Sequence, residues 1–203
     1  PEALAKKYRS DDIAVLRNGE PKDSEEIVEV NGQKRWYETY KSPVTLNGDI
    51  VGTVGFARDI NERKHAEMFE QFRSHILELL ITDLTLQDTL EAIVLGVEQF
   101  NPEMLCSILL IDAEGKHLRN IAAPSLPTFY NAAIDGIEVG MGVGCCGTVA
   151  FTGELVIAED IATHPYWEGY RELAANSGLA ACWSQPILAP NGKVLGTFAI
   201  YHR

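Results

Sequence analysis

Val54-Gly55-Phe56-Ala57-Arg58-Asp59-Ile60-Asn61-Glu62-Arg63-Lys64 holds a change of backbone regime. Its front half continues Ile50-Val51-Gly52-Thr53, an apolar and β-branched run that reads as a strand. Its back half opens a stretch, Asn61 to about Thr82, with neither Gly nor Pro. Within it Phe69, Phe72, Ile76 and Leu79 fall at spacings of 3, 4 and 3, a two-heptad apolar stripe along one helix face. A strand therefore runs straight into a connecting helix, and the joint in the 60s divides the chain.

Upstream of that strand, Asn47-Gly48 marks a turn, and Lys34 to Val44 alternates as a second strand with Trp36, Thr39 or Tyr40 and Val44. Asn31-Gly32 marks another tight turn, since both residues tolerate positive φ, and Glu25 to Val30 reads as the strand before it. Residues 1 to 20 read as a helix closed at Asn18-Gly19. The front piece is one helix followed by three antiparallel strands.

Downstream, Thr85 followed three residues later by Asp88 predicts a capping box, opening a helix with Leu86, Leu90, Ile93 and Val97 inward. Beyond Asn101-Pro102 the pattern turns to strands: Met104 to Ile111 is almost continuously apolar, Ala113 to Lys116 makes a turn, and Leu118 to Ala123 returns. Pro124 to Ile134 and Pro165 to Asn176 read as short helices. Gly140, Gly142, Gly144 and Gly147 crowd one stretch, which reads as a backbone-led loop over 140–147. Ala180 to Leu188, a turn at Pro190-Asn191-Gly192 and Val194 to Tyr201 form a final hairpin.

Charge separates the same two pieces. The chain of 203 residues carries 17 basic and 29 acidic groups, net −12. Residues 1–65 hold 11 basic and 12 acidic groups, which leaves 6 and 17 for residues 66–203. An acidic surface repels phosphate and anionic lipid, so nucleic acid and membrane surfaces are not expected partners. The longest uncharged window, Leu173 to Gly192, carries Asn, Gln, Ser, Pro and Gly, which excludes a membrane span. Four cysteines, at 106, 145, 146 and 182, are too few for a disulfide framework and read as reduced thiols of a cytoplasmic protein. The start at Pro1, with no apolar leader, reads as a piece cut from a longer chain.

Val54 to Lys64 resembles the last strand and exit motif of PAS domains, with Asp59, Ile60 and Arg63 as the exit residues. Glu20-Pro21, Gly32 to Thr39 and Pro43-Val44 look like the preceding PAS strands. The resemblance implies that residues 1–61 are the C-terminal part of such a domain, without its first strands or most of its ligand-pocket helices.

Residues 67–203 resemble a GAF domain of the kind that follows PAS domains in bacterial sensor proteins. The matching segments are Gly144 to Ala150, Val156 to Ile161, Cys182 to Ile187 and Lys193 to Ala199. The resemblance implies an α+β fold: a six-stranded antiparallel sheet with helices on one side and a ligand cavity on the other, here without the family's last helix. The expected division is 1–61 partial PAS sheet, 62–83 signalling helix and 84–203 GAF domain.

Cys145-Cys146 beside glycine backbone has the composition of a redox or metal site, against the simpler account of small buried apolar residues. Gly144 to Ala150 is similar to a segment of free methionine sulfoxide reductases, with Cys146 matching one of their cysteines. The stretch matching the loop assigned to that family's attacking cysteine, His164 to Tyr170, has no thiol, so the first step of sulfoxide reduction lacks its nucleophile. His75 follows Ser74 as in a kinase phosphoacceptor box, but Ile76-Leu77 replaces the acidic residue that box requires. No catalytic residue, no metal ligand set and no P-loop lysine emerges. His117 and His164 lack paired haem ligands, no Cys-His dipeptide marks a bilin site, and the cofactor stays unknown.

What remains is a candidate ligand pocket formed by Tyr130, Cys146, Thr148, Asp160, Trp167, Tyr170 and Trp183. Aromatic walls with few polar groups suit a small organic molecule. The expected function is sensing and transmission: pocket occupancy alters packing of the helices at 62–100, with Phe69, Phe72, Ile76 and Leu79 as the seam of a homodimer. The output domain implied by the resemblance is a histidine kinase or a cyclic-di-GMP synthase or phosphodiesterase. A reductase and a passive dimerisation scaffold are the alternatives.

Overall fold

The computed structural model describes residues 2–30 and 32–203, with side chains from residue 5 onward. The turn residue Asn31 lies outside the described residues. The fold is α+β, and it divides into two compact units, Pro1–Arg73 and Ser74–Arg203.

In the first unit, helix α1 (Glu2–Asn18) precedes a meander of β1 (Lys22–Val30), β2 (Gln33–Leu46) and β3 (Asp49–Asp59), with β2 central. Asn47 and Gly48 take φ of 53° and 94°, and Leu46 pairs with Asp49, so the expected turn spans two residues of positive φ. Period-2 alternation sends Glu26, Thr39, Lys41 and Thr53 to the face that α1 covers. That interface is polar: Lys7 donates to Glu26 at 2.6 Å, Thr39 Oγ1 donates to Glu26 at 2.8 Å, and Lys41 bridges to Asp12 at 2.7 Å. Among the described residues Val15 and Ile60 are this unit's buried apolar side chains. Part of the near-balanced charge of residues 1–65 thus pairs α1 to its sheet.

Glu26 makes this pairing pH-dependent. Burial opposes its ionisation, but hydrogen bonds from Lys7, Thr39 and Tyr8 outweigh that cost and hold its pKa below the ordinary 4.5. A carboxyl lowered on folding stabilises the folded state above its unfolded pKa and ceases to do so as pH falls through its folded value. Lys7→Met is therefore expected to cost about 1 kcal/mol at neutral pH, Lys7 being 42% exposed at its side chain. The difference from the parent should close once Glu26 is protonated. Urea denaturation at pH 7 and at pH 3 checks this, and an equal loss at both would refute it.

Helix α2 (Asn61–Leu79) follows β3, and none of its residues is buried. In the second unit, α3 (Leu86–Glu98) starts at the expected capping box: Thr85 Oγ1 accepts from the Asp88 N–H at 3.1 Å while the Asp88 carboxylate accepts from the Thr85 N–H at 3.2 Å. Its inward face is Leu90, Ile93, Val94 and Val97. Leu86, expected inward, is 63% exposed because it is the first helical residue, whereas Val94 is fully buried.

The strands β4 (Met104–Ile111), β5 (His117–Ala122), β6 (Ile137–Glu138), β7 (Val156–Ala158), β8 (Ala181–Leu188) and β9 (Val194–His202) form one antiparallel sheet in the order β6-β5-β4-β9-β8-β7. Helix α3 packs on one face, over Cys106, Ile108 and Ala122. The larger core lies on the other face, where α4 (Thr128–Ile134), α5 (Gly144–Thr152), a 3-10 turn at Pro165–Trp167 and α6 (Arg171–Asn176) cover Leu105, Leu109, Leu118, Cys182, Ala199 and Tyr201. Burying each of the three leucines contributes about 1.5–3 kcal/mol.

The glycine-rich stretch departs from its reading. Only 140–143 is loop, and Gly144 begins α5, which is buried from Gly144 to Ala150. Gly142 and Gly144 have φ of 80° and 56°, as a backbone-led loop requires. Gly147 is there for a different reason: a Cβ on it would lie 2.7 Å from the Glu138 carbonyl oxygen and 2.7 Å from Val143 Cβ. The glycines let a helix settle against the sheet, rather than keeping the segment unfolded.

Candidate functional site

The space between the sheet and its short helices is the candidate site. Leu109 on β4 and Tyr201 on β9 supply the sheet side, Tyr130 and Ile134 come from α4, and Ile137 from β6. Val143, Gly144, Cys145 and Cys146 bring the start of α5, while Trp167, Tyr170 and Leu173 come from the segment after β7. This lining contains no carboxylate, imidazole or ammonium group. The cavity volume is ≈ 20 Å³, room for about one water.

Of the seven residues singled out from the sequence, Tyr130, Cys146, Trp167 and Tyr170 line this cavity. Thr148, Asp160 and Trp183 are placed elsewhere. Thr148 is fully buried, donating to the Gly144 carbonyl at 2.7 Å and accepting from the Gly142 N–H at 3.1 Å, so it ties the glycine loop to α5. Asp160 is exposed and closes its own turn, accepting from the Ala162 N–H and the Thr163 hydroxyl, each at 2.9 Å. Trp183 lies one residue out of phase with Cys182 and Ser184, which face the cavity core, and its partner across the ladder is Ile200 on the α3 face. Leu109, Ile137 and Tyr201 are lining residues that the sequence reading missed.

Tyr130 and Tyr201 meet edge to face, ring centroids 5.9 Å apart at 82°, and the Tyr201 hydroxyl lies 3.2 Å from Ser107 Oγ. Burial pushes both phenols well above their ordinary pKa, so they are neutral hydrogen-bonding groups. The two adjacent thiols diverge. Cys145 Sγ accepts from the Trp167 indole N–H at 3.1 Å and lies 3.9 Å from the Cys182 carbonyl oxygen. Cys146 Sγ is 3.6 Å from Ser184 Oγ and 3.8 Å from the Tyr201 hydroxyl. All four cysteines are free and buried. Among the described residues no group of three or more His, Cys, Asp or Glu side chains could hold a metal ion, and no helix is long and apolar enough to cross a membrane.

The PAS-like exit residues come together in the first unit. The Asp59 carboxylate accepts from the Asn61 N–H at 2.9 Å and pairs with Arg35 at 3.1 Å; the Asn61 amide first and then the guanidinium lower its pKa. Ile60 is buried, and Arg63 pairs with Glu25 at 2.7 Å and Glu38 at 3.2 Å. Along α2, Phe69 is 55% exposed while Phe72, Ile76 and Leu79 are half-buried.

The chain is 40% identical over 156 residues to the methyl sulfide methyltransferase-associated sensor of Methanosarcina acetivorans, an alignment covering 77% of this chain and 16% of that protein. The chain thus spans about 16% of the length of the curated relative it matches. Among solved structures it is similar to the A. aeolicus nlh2 GAF domain in an inactive state, with a TM-score of 0.53 and 17% identity, covering 68% of this chain and 81% of that one. The free methionine-R-sulfoxide reductase from Neisseria meningitidis, in complex with its substrate, gives a TM-score of 0.50 at 18% identity over 68% and 72% of the two chains. At such identities the structures share the fold alone. A family model described as PAS fold matches residues 1–65 and one described as GAF domain matches residues 83–203, so the chain belongs to the GAF family, with a PAS fold preceding its GAF domain.

Proposed function

We propose that this chain is the sensory and signal-transmission region of a larger signalling protein, in which the GAF cavity takes a small, largely apolar molecule. The observation that carries this reading is an aromatic-walled cavity without carboxylate, imidazole or ammonium in its lining, in a chain whose 40% identical relative is named as a sensor. A site of that composition binds by burial and shape, and it has no paired groups for general acid-base chemistry. The region senses and does not catalyse. Four buried reduced thiols and a net charge of −12 suit a cytoplasmic protein that contacts neither nucleic acid nor membrane.

A volume of ≈ 20 Å³ is far below the roughly 300 Å³ of an ordinary ligand pocket, so entry of a ligand must move a wall. Tyr170 and Leu173, half-buried at the rim on the segment carrying α6, are the side chains placed to yield. Native mass spectrometry of protein purified from its source is expected to show an added mass that is lost on denaturation. Adding the recovered molecule back at about a hundredfold over its dissociation constant should raise stability by about 2.7 kcal/mol. Protein that carries no such mass and melts unchanged with extracts of its source would leave a passive dimerisation scaffold in its place.

Transmission runs through the helices at 62–100 to an output domain of the histidine-kinase or cyclic-di-GMP class; the much greater length of the relative leaves room for one. Two copies of α2 meet along Phe69, Phe72, Ile76 and Leu79, a stripe on a helix with no buried residue of its own. Phe69→Glu together with Ile76→Glu should halve the mass measured by multi-angle light scattering. An unchanged mass would show that the seam lies elsewhere.

A further inference from the structure

Three of the four thiols gather in the GAF core, and two of them are placed to react with each other. Cys145 sits on α5 and Cys182 on β8, 37 positions apart in the chain and both fully buried. Cys145 Sγ lies 3.9 Å from the Cys182 carbonyl oxygen, which places the two residues side by side where α5 packs on β8. Both residues belong to regular elements: Cys182 is held between Ala158 on β7 and Tyr201 on β9. Cys145 also lines the cavity, which has room for a water-sized molecule.

The indole of Trp167 aims its N–H at Cys145 Sγ from 3.1 Å, a donor directed at the place where sulfur would carry negative charge. Hydrogen bonds from the Cys182 thiol first, then from the Trp167 indole and the Ala158 backbone, outweigh burial and lower the Cys145 pKa. Burial raises that of Cys182, and the neighbouring Cys145 adds to the rise. Cys106, by contrast, is pushed up to about 12 by burial and the nearby Glu98 charge, and it packs on the opposite sheet face under α3. Cys146 is turned toward Ser184 and Tyr201, and burial raises its pKa.

We infer that Cys145 and Cys182 are a redox pair, which a small hydroperoxide converts to a reversible disulfide. In the first step the Cys145 thiolate attacks the terminal peroxide oxygen. An S–O bond forms, the O–O bond breaks, and the leaving oxygen departs as an alcohol, or as water from hydrogen peroxide, after taking a proton. The Cys182 sulfur then attacks Cys145 Sγ. The S–S bond forms, the S–O bond breaks, and hydroxide leaves as water with the Cys182 proton. Two thiols are oxidised and one peroxide reduced, and a dithiol reverses the bond by exchange. Cys145 Sγ is the acceptor of the Trp167 N–H, so forming the disulfide alters a contact in the wall of the cavity. The pair needs no bound ligand, and the inference stands apart from the sensory reading.

Peptide mapping of the whole chain after brief exposure to hydrogen peroxide tests it. Trypsin separates the two residues into peptides 120–171 and 172–193. The expected result is a cross-link joining them, assigned to Cys145 by fragmentation, lost on adding dithiothreitol and retained in Cys146→Ala. Trp167→Phe should form it about tenfold more slowly, as befits a lost hydrogen bond to a developing thiolate. Mapping of the parent protein gives the answer even if a variant fails to fold. A cross-link through Cys146, oxidation that stops at sulfinic acid, or folded protein whose thiols all remain alkylatable would overturn the assignment.

Discussion

Gly196→Ala is expected to destabilise the GAF unit by about 3 kcal/mol or more in urea denaturation. Gly196 is buried near the start of β9, paired to Leu110 of β4 on one side and Ile187 of β8 on the other. A Cβ there would stand 2.2 Å from the Leu109 carbonyl oxygen and 3.0 Å from Leu110 Cα. Neither atom belongs to a side chain that can rotate away, so relief requires parting the two strands at the centre of the sheet and lengthening their hydrogen bonds. Gly52→Ala on β3 is the matched control: nothing lies within 4 Å of its added methyl, and its cost should stay within about 0.5 kcal/mol. If the two variants melted alike, the close approach of β9 to β4 would not be what requires glycine at 196.

The second large effect should come from Trp167→Ala. Trp167 is 4% exposed, packs in the principal core and forms one wall of the cavity. Truncating a buried indole removes its burial and leaves a void, together costing about 3–5 kcal/mol. The void would join the existing cavity of ≈ 20 Å³, whose lining is aromatic and aliphatic, and should stay dry. Indole added in solution is therefore expected to raise the melting temperature of Trp167→Ala and leave the parent protein unmoved. If indole stabilised neither protein, α6 and the 3-10 turn would have collapsed onto the sheet, and the cavity would not be a site that aromatic molecules can occupy.

The sequence patterns disclosed elements better than faces. Asn47-Gly48 and the Thr85/Asp88 pair announce their turn and cap because local backbone chemistry alone determines them. Met104–Ile111 is likewise plain, a strand covered on both sides and therefore apolar throughout. That same continuity hides which side a given residue takes. No polar alternation along β4 or β9 marks Leu109 and Tyr201 as cavity residues, and the parity of β8 that turns Trp183 away from Cys182 depends on its partner strands. The strand β6 is two residues long, too short for any period to register. The misreading of 144–147 has another source: glycine density reports backbone freedom and close approach alike, and only the neighbouring Glu138 carbonyl distinguishes them.

The start of α2 bears on how strain could travel. Trp36, on the central strand of its sheet, accepts from the Ile60 N–H at 3.0 Å and donates its own N–H to Asn61 Oδ1 at 2.8 Å. The helix is thereby keyed to β2 as well as continuous with β3. A change in sheet twist would therefore reach the first helical turn through two hydrogen bonds as well as through the chain. Beyond that key, α2 is an unburied shaft. A helix gripped at its first turn by two strands is set to rotate with them.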